Sequence, residues 1–139
     1  MKRAAVLVAV VALAGCGGRA APPPEHATLT DIRVRPDRVE FEFDSDVQHV
    51  SAAAAHGPFA ECGSGAAVKP AGADFVVVRF SPAQTRDIPK RIIRPSGPIL
   101  DVWKTCDFEA DVSWVIGLDR HAAADVSRDG STVTVTFGG

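Results

Sequence analysis

From Arg38 to Asp44 apolar and charged positions alternate without a break, with Val39, Phe41 and Phe43 on one side and Arg38, Glu40, Glu42 and Asp44 on the other. A period of two marks a strand with one face on a core and one in water, because successive side chains of a pleated chain point to opposite faces. The same period recurs along the chain. Thr28 to Arg35 sets Ile32 and Val34 between charged neighbours and ends at a Pro36-Asp37 turn. Val112, Trp114 and Ile116 alternate with Ser113 and Val115 until Gly117 relaxes the backbone, which makes Trp114 a core residue. Near the end, Ala122 to Ser127 and Ser131 to Phe137 form a hairpin across Arg128-Asp129-Gly130, with Val133, Val135 and Phe137 inward and the threonines outward.

Other stretches are less regular. Phe75 to Phe80 is apolar on both parities apart from Arg79, as an inner strand covered on both sides would be. Val47 to Ala55 reads as a further strand, although its four alanines suit a short helix equally well. Ser81 to Pro98 holds four prolines and no period, which predicts a long irregular connection available to a partner. Arg86, Lys90, Arg91 and Arg94 make it basic, and without a glycine-rich cradle it reads as a solvated loop before an anion site. In Ile99 to Cys106, Leu100, Val102 and Cys106 share one parity and Ile99, Asp101, Trp103 and Thr105 share the other. The second parity carries the polar residues, so Trp103 is expected to face outward beside Asp101 and Thr105. If Ile99 marks the inner parity instead, or the long connection covers the ring, Trp103 is buried.

These elements predict one all-β domain, a β-sandwich of two antiparallel sheets; 139 residues leave no room for a second. Ten prolines and twelve glycines favour strands and turns over long helices. The domain is expected over residues 28–139, after a lipoprotein signal peptide over 1–15 and a flexible tether over 16–27.

The N-terminal reading rests on Lys2 and Arg3, the apolar run Ala4 to Leu13 and the sequence Leu13-Ala14-Gly15-Cys16. Ten apolar residues are too few for a bilayer core that needs roughly 20 in a helix, so a cleaved signal is expected rather than a membrane span. Leu-Ala-Gly-Cys resembles the bacterial lipobox, which implies that Cys16 becomes a diacylglyceryl-bearing N-terminus. Such an anchor holds a protein on a membrane without spanning it, and the expected location is the extracytoplasmic side of the cell membrane. Gly17 to Ala27, with three successive prolines, makes a partly stiff spacer.

Cys106 to Arg120, CDFEADVSWVIGLDR, resembles the closing pattern of the actinobacterial AMIN-like domain, a Gly-Asp-Phe-Glu followed by Trp-x-Ile-Gly-Leu-Asp-Arg. Leu29 to Val34 followed by Arg38 to Asp44 is similar to its opening strands, and Glu61 to Gly65 to its mid-domain turn. The similarity spans about Thr28 to Phe137. It implies a β-sandwich found in envelope proteins, related by analogy to domains that place proteins on peptidoglycan, although a fold is not itself a function. The family pattern usually has no cysteine in either motif, so Cys62 and Cys106 depart from it together. Outside the cytoplasm, with Cys16 acylated, these two are expected to form one disulfide.

No catalytic motif assembles. Gly63-Ser64-Gly65 is not a nucleophile elbow, and His26, His49, His56 and His121 lack metal-ligand spacing, so no enzyme, metal or cofactor is expected. Asp107, Glu109 and Asp111 recur at every second position and could project from one strand face toward a cation or a sugar hydroxyl; a solvated edge is the plainer alternative. Without Lys2 and Arg3 the chain carries 13 basic and 17 acidic residues, which argues against nucleic acid as a partner. Two function classes remain. One is a non-catalytic binder of peptidoglycan or another envelope glycan, using Trp103, Asp101, Thr105, Asp107 and Glu109. The other is an envelope protein-protein interaction or assembly factor.

Overall fold

In the computed structural model, which describes residues 17–18 and 26–138, the chain is all-β and forms a sandwich of two five-stranded sheets. The expected signal segment, Cys16 and most of the expected spacer lie outside the described residues. The strands are β1 (Ala27–Val34), β2 (Arg38–Phe43), β3 (His49–Ala55), β4 (Phe59–Ala60), β5 (Ala67–Val68) and β6 (Asp74–Ser81). They continue with β7 (Ala83–Thr85), β8 (Arg91–Ile93), β9 (Ile99–Phe108), β10 (Asp111–Leu118), β11 (Ala123–Asp129) and β12 (Thr132–Gly138). The first sheet runs β11-β12-β2-β1-β7 and the second β3-β6-β10-β9-β8; pairing is antiparallel except that β7 joins β1 in parallel. Ser81 to Pro98 is therefore not an irregular connection, since it supplies an edge strand to each sheet. Strands of three residues are too short to show a period.

The alternating residues meet between the sheets. Val39, Phe41, Phe43, Val133, Val135 and Phe137 pack from one side against Val76, Val78, Phe80, Trp114 and Ile116 from the other. Phe80 is gripped by Phe41 and Phe43, each with its ring centroid 4.9 Å away in a tilted or edge-on arrangement. Trp114 is fully buried, in the core where its parity placed it.

The strand β9 departs from simple alternation. Leu118 pairs with Ile99 but Gly117 with Asp101, so Leu100 is an extra residue; Trp114 pairs with Lys104 but Ser113 with Cys106, so Thr105 is another. Each such bulge reverses the parity beyond it. Ile99 and Val102 both reach the core, whereas Asp101, Trp103 and Cys106 share the outer face. The expected inward Cys106 and outward Ile99 are thus corrected, because a period counted through a bulge assigns the wrong face.

Across the outer face the ladders align Ser51, Arg79, Ser113 and Cys106 in one row, then Ala53, Val77, Val115, Trp103 and Arg91, then Ala55, Phe75, Gly117, Asp101 and Ile93. A flap over residues 56–73, containing the short β4–β5 hairpin, lies on part of this face. It is fastened at one end by the Cys62–Cys106 disulfide, with Cα atoms 5.1 Å apart, and by the Cys62 N–H donating to the Thr105 carbonyl at 2.9 Å. At the other end Ala71 N–H donates to Asp101 at 2.7 Å and Ala73 N–H to the Leu118 carbonyl at 2.8 Å. Two glycines let the backbones cross there. A Cβ on Gly117 would lie 2.9 Å from the Ala71 carbonyl carbon and closer still to its oxygen, and one on Gly72 would lie 2.9 Å from Leu118 N and O. Gly117 is therefore a crossing point rather than a relaxed strand end. The flap explains why Val115, on the face expected to be wet, is fully buried.

Candidate functional site

Between the flap and the outer face lies a cleft of about 340 Å³, at the small end of the roughly 300–1,000 Å³ range of ligand sites. Its position follows from local chain chemistry. The disulfide holds the flap's turn against β9, and Phe59 packs edge-on against Phe75 with centroids 5.2 Å apart, so the flap stands over β6 and β10 as a fixed wall. Pro58 and Phe59 form that wall, and Val77 and Val115 the apolar floor. Arg79, Asp111, Ser113 and Thr105 set polar groups around them. An apolar surface ringed by hydrogen-bonding groups can lie against the carbon face of a polyhydroxyl ligand while binding its hydroxyls.

The charges around the cleft differ in how fully they are engaged. Glu61 accepts from the Lys90 ammonium and, at 3.1 Å, from the Ser64 hydroxyl. These bonds, the Lys90 contact foremost, hold its carboxyl below the ordinary carboxylate range. Neither Arg79 nor Asp111 makes a side-chain hydrogen bond or ion pair among the described residues. The Thr105 hydroxyl donates to the Ser113 carbonyl at 3.3 Å, tying the bulge to its neighbour.

Beyond the disulfide a smaller depression of about 190 Å³ shares Glu61 and Thr105 and is bordered by Lys90, Lys104 and Asp107. Asp107 accepts from the Thr85 hydroxyl and from Lys104 at 3.3 Å. The acidic run does not project from one strand face. Glu109 and Ala110 form the β9–β10 turn with φ of 50° and 65°, so Glu109 lies at the hairpin tip and lines neither cavity.

Asp101 and Trp103 belong to a separate cluster centred on Arg91. The Arg91 guanidinium donates to Asp101 through Nε at 3.0 Å and through a terminal nitrogen at 2.6 Å, and its carbon sits 3.9 Å from the centre of the Trp103 ring. The bond to Asp101 raises the Arg91 pKa further, against a smaller opposing effect of burial. Asp101 was expected on a wet face but is fully buried, with its carboxylate committed to Arg91 and Ala71. Trp103 does face outward as its neighbours do, yet Arg91 covers its ring and its indole N–H is buried without an acceptor among the described residues. It is thus a half-buried stacking partner for the guanidinium, not an open platform.

Of the residues picked from the sequence, the structure therefore brings Thr105 into the cleft and Asp107 to its neighbour, while Asp101, Trp103 and Glu109 lie elsewhere. Phe59, Arg79 and Ser113 were missed as site residues, and Asp111 was read only as part of the acidic run. Arg79 had a signal, being the lone charge in an apolar strand; Phe59 had none, because its place depends on a disulfide partner 44 residues from Cys62. Among the described residues no cluster of three or more His, Cys, Asp or Glu is arranged to hold a metal ion. No protein-family model, curated protein or solved structure matches this chain, so its function is argued from the site itself.

Proposed function

We propose that this protein is a lipid-anchored, non-catalytic binder of the bacterial envelope whose outer-face cleft takes peptidoglycan or another envelope glycan. The observation that carries this reading is the lining of the cleft, where Phe59, Pro58 and Val77 provide an apolar surface within reach of Arg79, Asp111, Ser113 and Thr105. That combination suits the two-sided chemistry of a sugar ring, apolar on its carbon faces and polar around its rim. The anchor rests on the Leu13 to Cys16 sequence, which lies outside the described residues. No helix of the described residues is long and apolar enough to cross a membrane.

A second reading, a protein-interaction or assembly factor, is favoured by one feature. The edge strand β3 pairs only with β6 and carries no Asp, Glu, Lys, Arg or proline, and Ser51, Ala53 and Ala54 are exposed along it, so a partner strand could add to its unpaired side by displacing the neighbouring β11 edge.

Retention of the full-length protein on purified cell-wall sacculi, set against capture of lysate proteins, separates the two. The glycan reading requires retention that falls in Phe59→Ala and Asp111→Asn while far-ultraviolet circular dichroism shows both variants folded. Folded wild type that washes off sacculi would refute it. For the anchor, Cys16→Ser should release the protein from membranes or leave an unprocessed precursor; normal processing with unchanged membrane association would refute lipidation.

A further inference from the structure

We infer that the saccharide taken by this cleft is an acidic one, whose carboxylate is read by Arg79. The inference rests on the glycan reading of the cleft. Nine arginines lie among the described residues, and eight of them have a partner there. Arg33, Arg35, Arg38, Arg86, Arg91 and Arg120 face carboxylates, while Arg94 and Arg128 donate to backbone carbonyls. Arg79 alone among them makes no hydrogen bond or ion pair, although the chain is rich in acids. Its flanking residues across the ladder, Ser51 and Ser113, are uncharged. It stands exposed at the cleft, on a strand whose other residues from Phe75 to Phe80 are apolar. A guanidinium left open in this way presents two parallel N–H donors, the geometry that a planar carboxylate accepts in bidentate form.

The second free charge fixes the rest of the ligand. Asp111 precedes Ser113 by two residues on the same face of β10, and Ser113 is paired with Arg79, so the two charges are diagonal neighbours. Two residues of strand rise separate their rows by about 7 Å. A sugar acid spans that distance with its carboxylate on Arg79 and ring hydroxyls donating to Asp111, its apolar face against Phe59. A polyanion fits poorly, because Asp111 repels a second negative charge and Lys90 is already engaged by Glu61.

The test uses the full-length chain in detergent micelles and calorimetric titration with three tetrasaccharides of one linkage: a hexuronate, the neutral hexose and the hexose phosphate. Wild type should bind the uronate at least about tenfold more tightly than the neutral sugar, the scale of a charge-assisted bond, and more tightly than the phosphate. Arg79→Gln should lose that preference, Arg79→Lys should keep part of it, and Asp111→Asn should weaken uronate and neutral sugar alike. Arg79 is exposed, so its replacement leaves no core cavity, and unchanged near-ultraviolet circular dichroism serves as the folding control. Equal binding of neutral and acidic sugars, a preference retained by Arg79→Gln, or tighter binding of the phosphate would overturn the carboxylate assignment while leaving the glycan reading standing. Binding of none of the three overturns the assignment; if sacculi also fail to retain the protein, the glycan reading falls with it.

Discussion

Gly117→Ala is the sharpest probe of how the flap is held. The added methyl has nowhere to go, because its place is taken by the Ala71 carbonyl, a backbone group unable to swing aside as a flexible side chain would. Relieving the overlap costs about 1–3 kcal/mol if the flap stays put. If the crossing opens instead, Asp101 loses the Ala71 N–H at 2.7 Å, a bond to a buried carboxylate worth about 1.5–3 kcal/mol. Alanine's smaller unfolded-state entropy returns about 0.4–1 kcal/mol. Either way the net loss is about 0.5–2.5 kcal/mol out of the 5–15 kcal/mol typical of a domain, lowering the melting temperature on the order of 2–15 °C. Urea unfolding of the oxidised protein measures the loss. Hydrogen exchange locates it, since the Ala71 and Ala73 amides should lose protection while the Cys62 amide, beside the intact disulfide, keeps it. Gly138→Ala, with open space around the added methyl, is the control and should change stability by less than about 0.5 kcal/mol. A Gly117→Ala protein as stable as wild type, with Ala71 still protected, would show that the two backbones do not cross as described.

Three further outcomes follow from the same geometry. Reducing Cys62–Cys106, whose partners are 44 residues apart, should lower unfolding free energy by about 4 kcal/mol in the chain-entropy model, read from urea curves with and without reductant; identical curves would argue against a stabilising clasp. Arg91→Met should cost about 3 kcal/mol by stranding the buried Asp101 carboxylate, and adding Asp101→Asn should recover part of that loss; a neutral single variant would refute the pairing. Asp44, held below the ordinary carboxylate range chiefly by the Thr28 N–H at 2.8 Å, and Glu61, held low by Lys90, both have folded pKa values below their unfolded ones. Their stabilisation is complete above the ordinary carboxyl pKa of about 4 and is lost as pH falls through the depressed values. Urea midpoints should thus decline below about pH 4, less steeply in Asp44→Asn, and parallel acid limbs would contradict the assignment.

What could be read in advance was decided by period. Where alternation is unbroken, as in Val39, Phe41 and Phe43 or Val133, Val135 and Phe137, every inward residue is in the core. The sandwich itself follows from those strands. The errors collect on β9, where bulges at Leu100 and Thr105 reverse the faces and no local residue type announces them. Asp101 looked wet because aspartate usually is; its burial depends on Arg91 ten residues away and on Ala71 thirty residues away. The cleft was illegible for the same reason. Phe59 and Arg79 become neighbours only after the flap folds over the sheet, and that contact rests on a disulfide, two glycine crossings and a buried ion pair rather than on any periodic signal.

The run from Trp114 to Arg120, part of the Cys106 to Arg120 stretch that suggested a family resemblance, has a scaffold role in this structure. Trp114, Ile116 and Leu118 fill the core, Gly117 admits the Ala71 carbonyl, and Asp119 and Arg120 pair with each other at the surface at 3.4 Å. Of this run only Val115 lines the cleft, as part of its apolar floor. Its polar groups come instead from Arg79, on another strand, and from Asp111 and Ser113, which precede Trp114 on the same strand with their side chains on the opposite face. On β10 the two tasks are thus divided by parity: even-numbered residues from Val112 to Leu118 build the core, and odd-numbered ones meet the flap and the cleft. Substitutions at Asp111 or Ser113 can change the polar lining of the cleft without disturbing the packing beneath, whereas a substitution at Gly117 moves the wall of the cleft without touching that lining. Chains that share the core-facing pattern of this strand can therefore differ at the cleft, whose lining depends on Phe59, Arg79, Asp111 and Ser113.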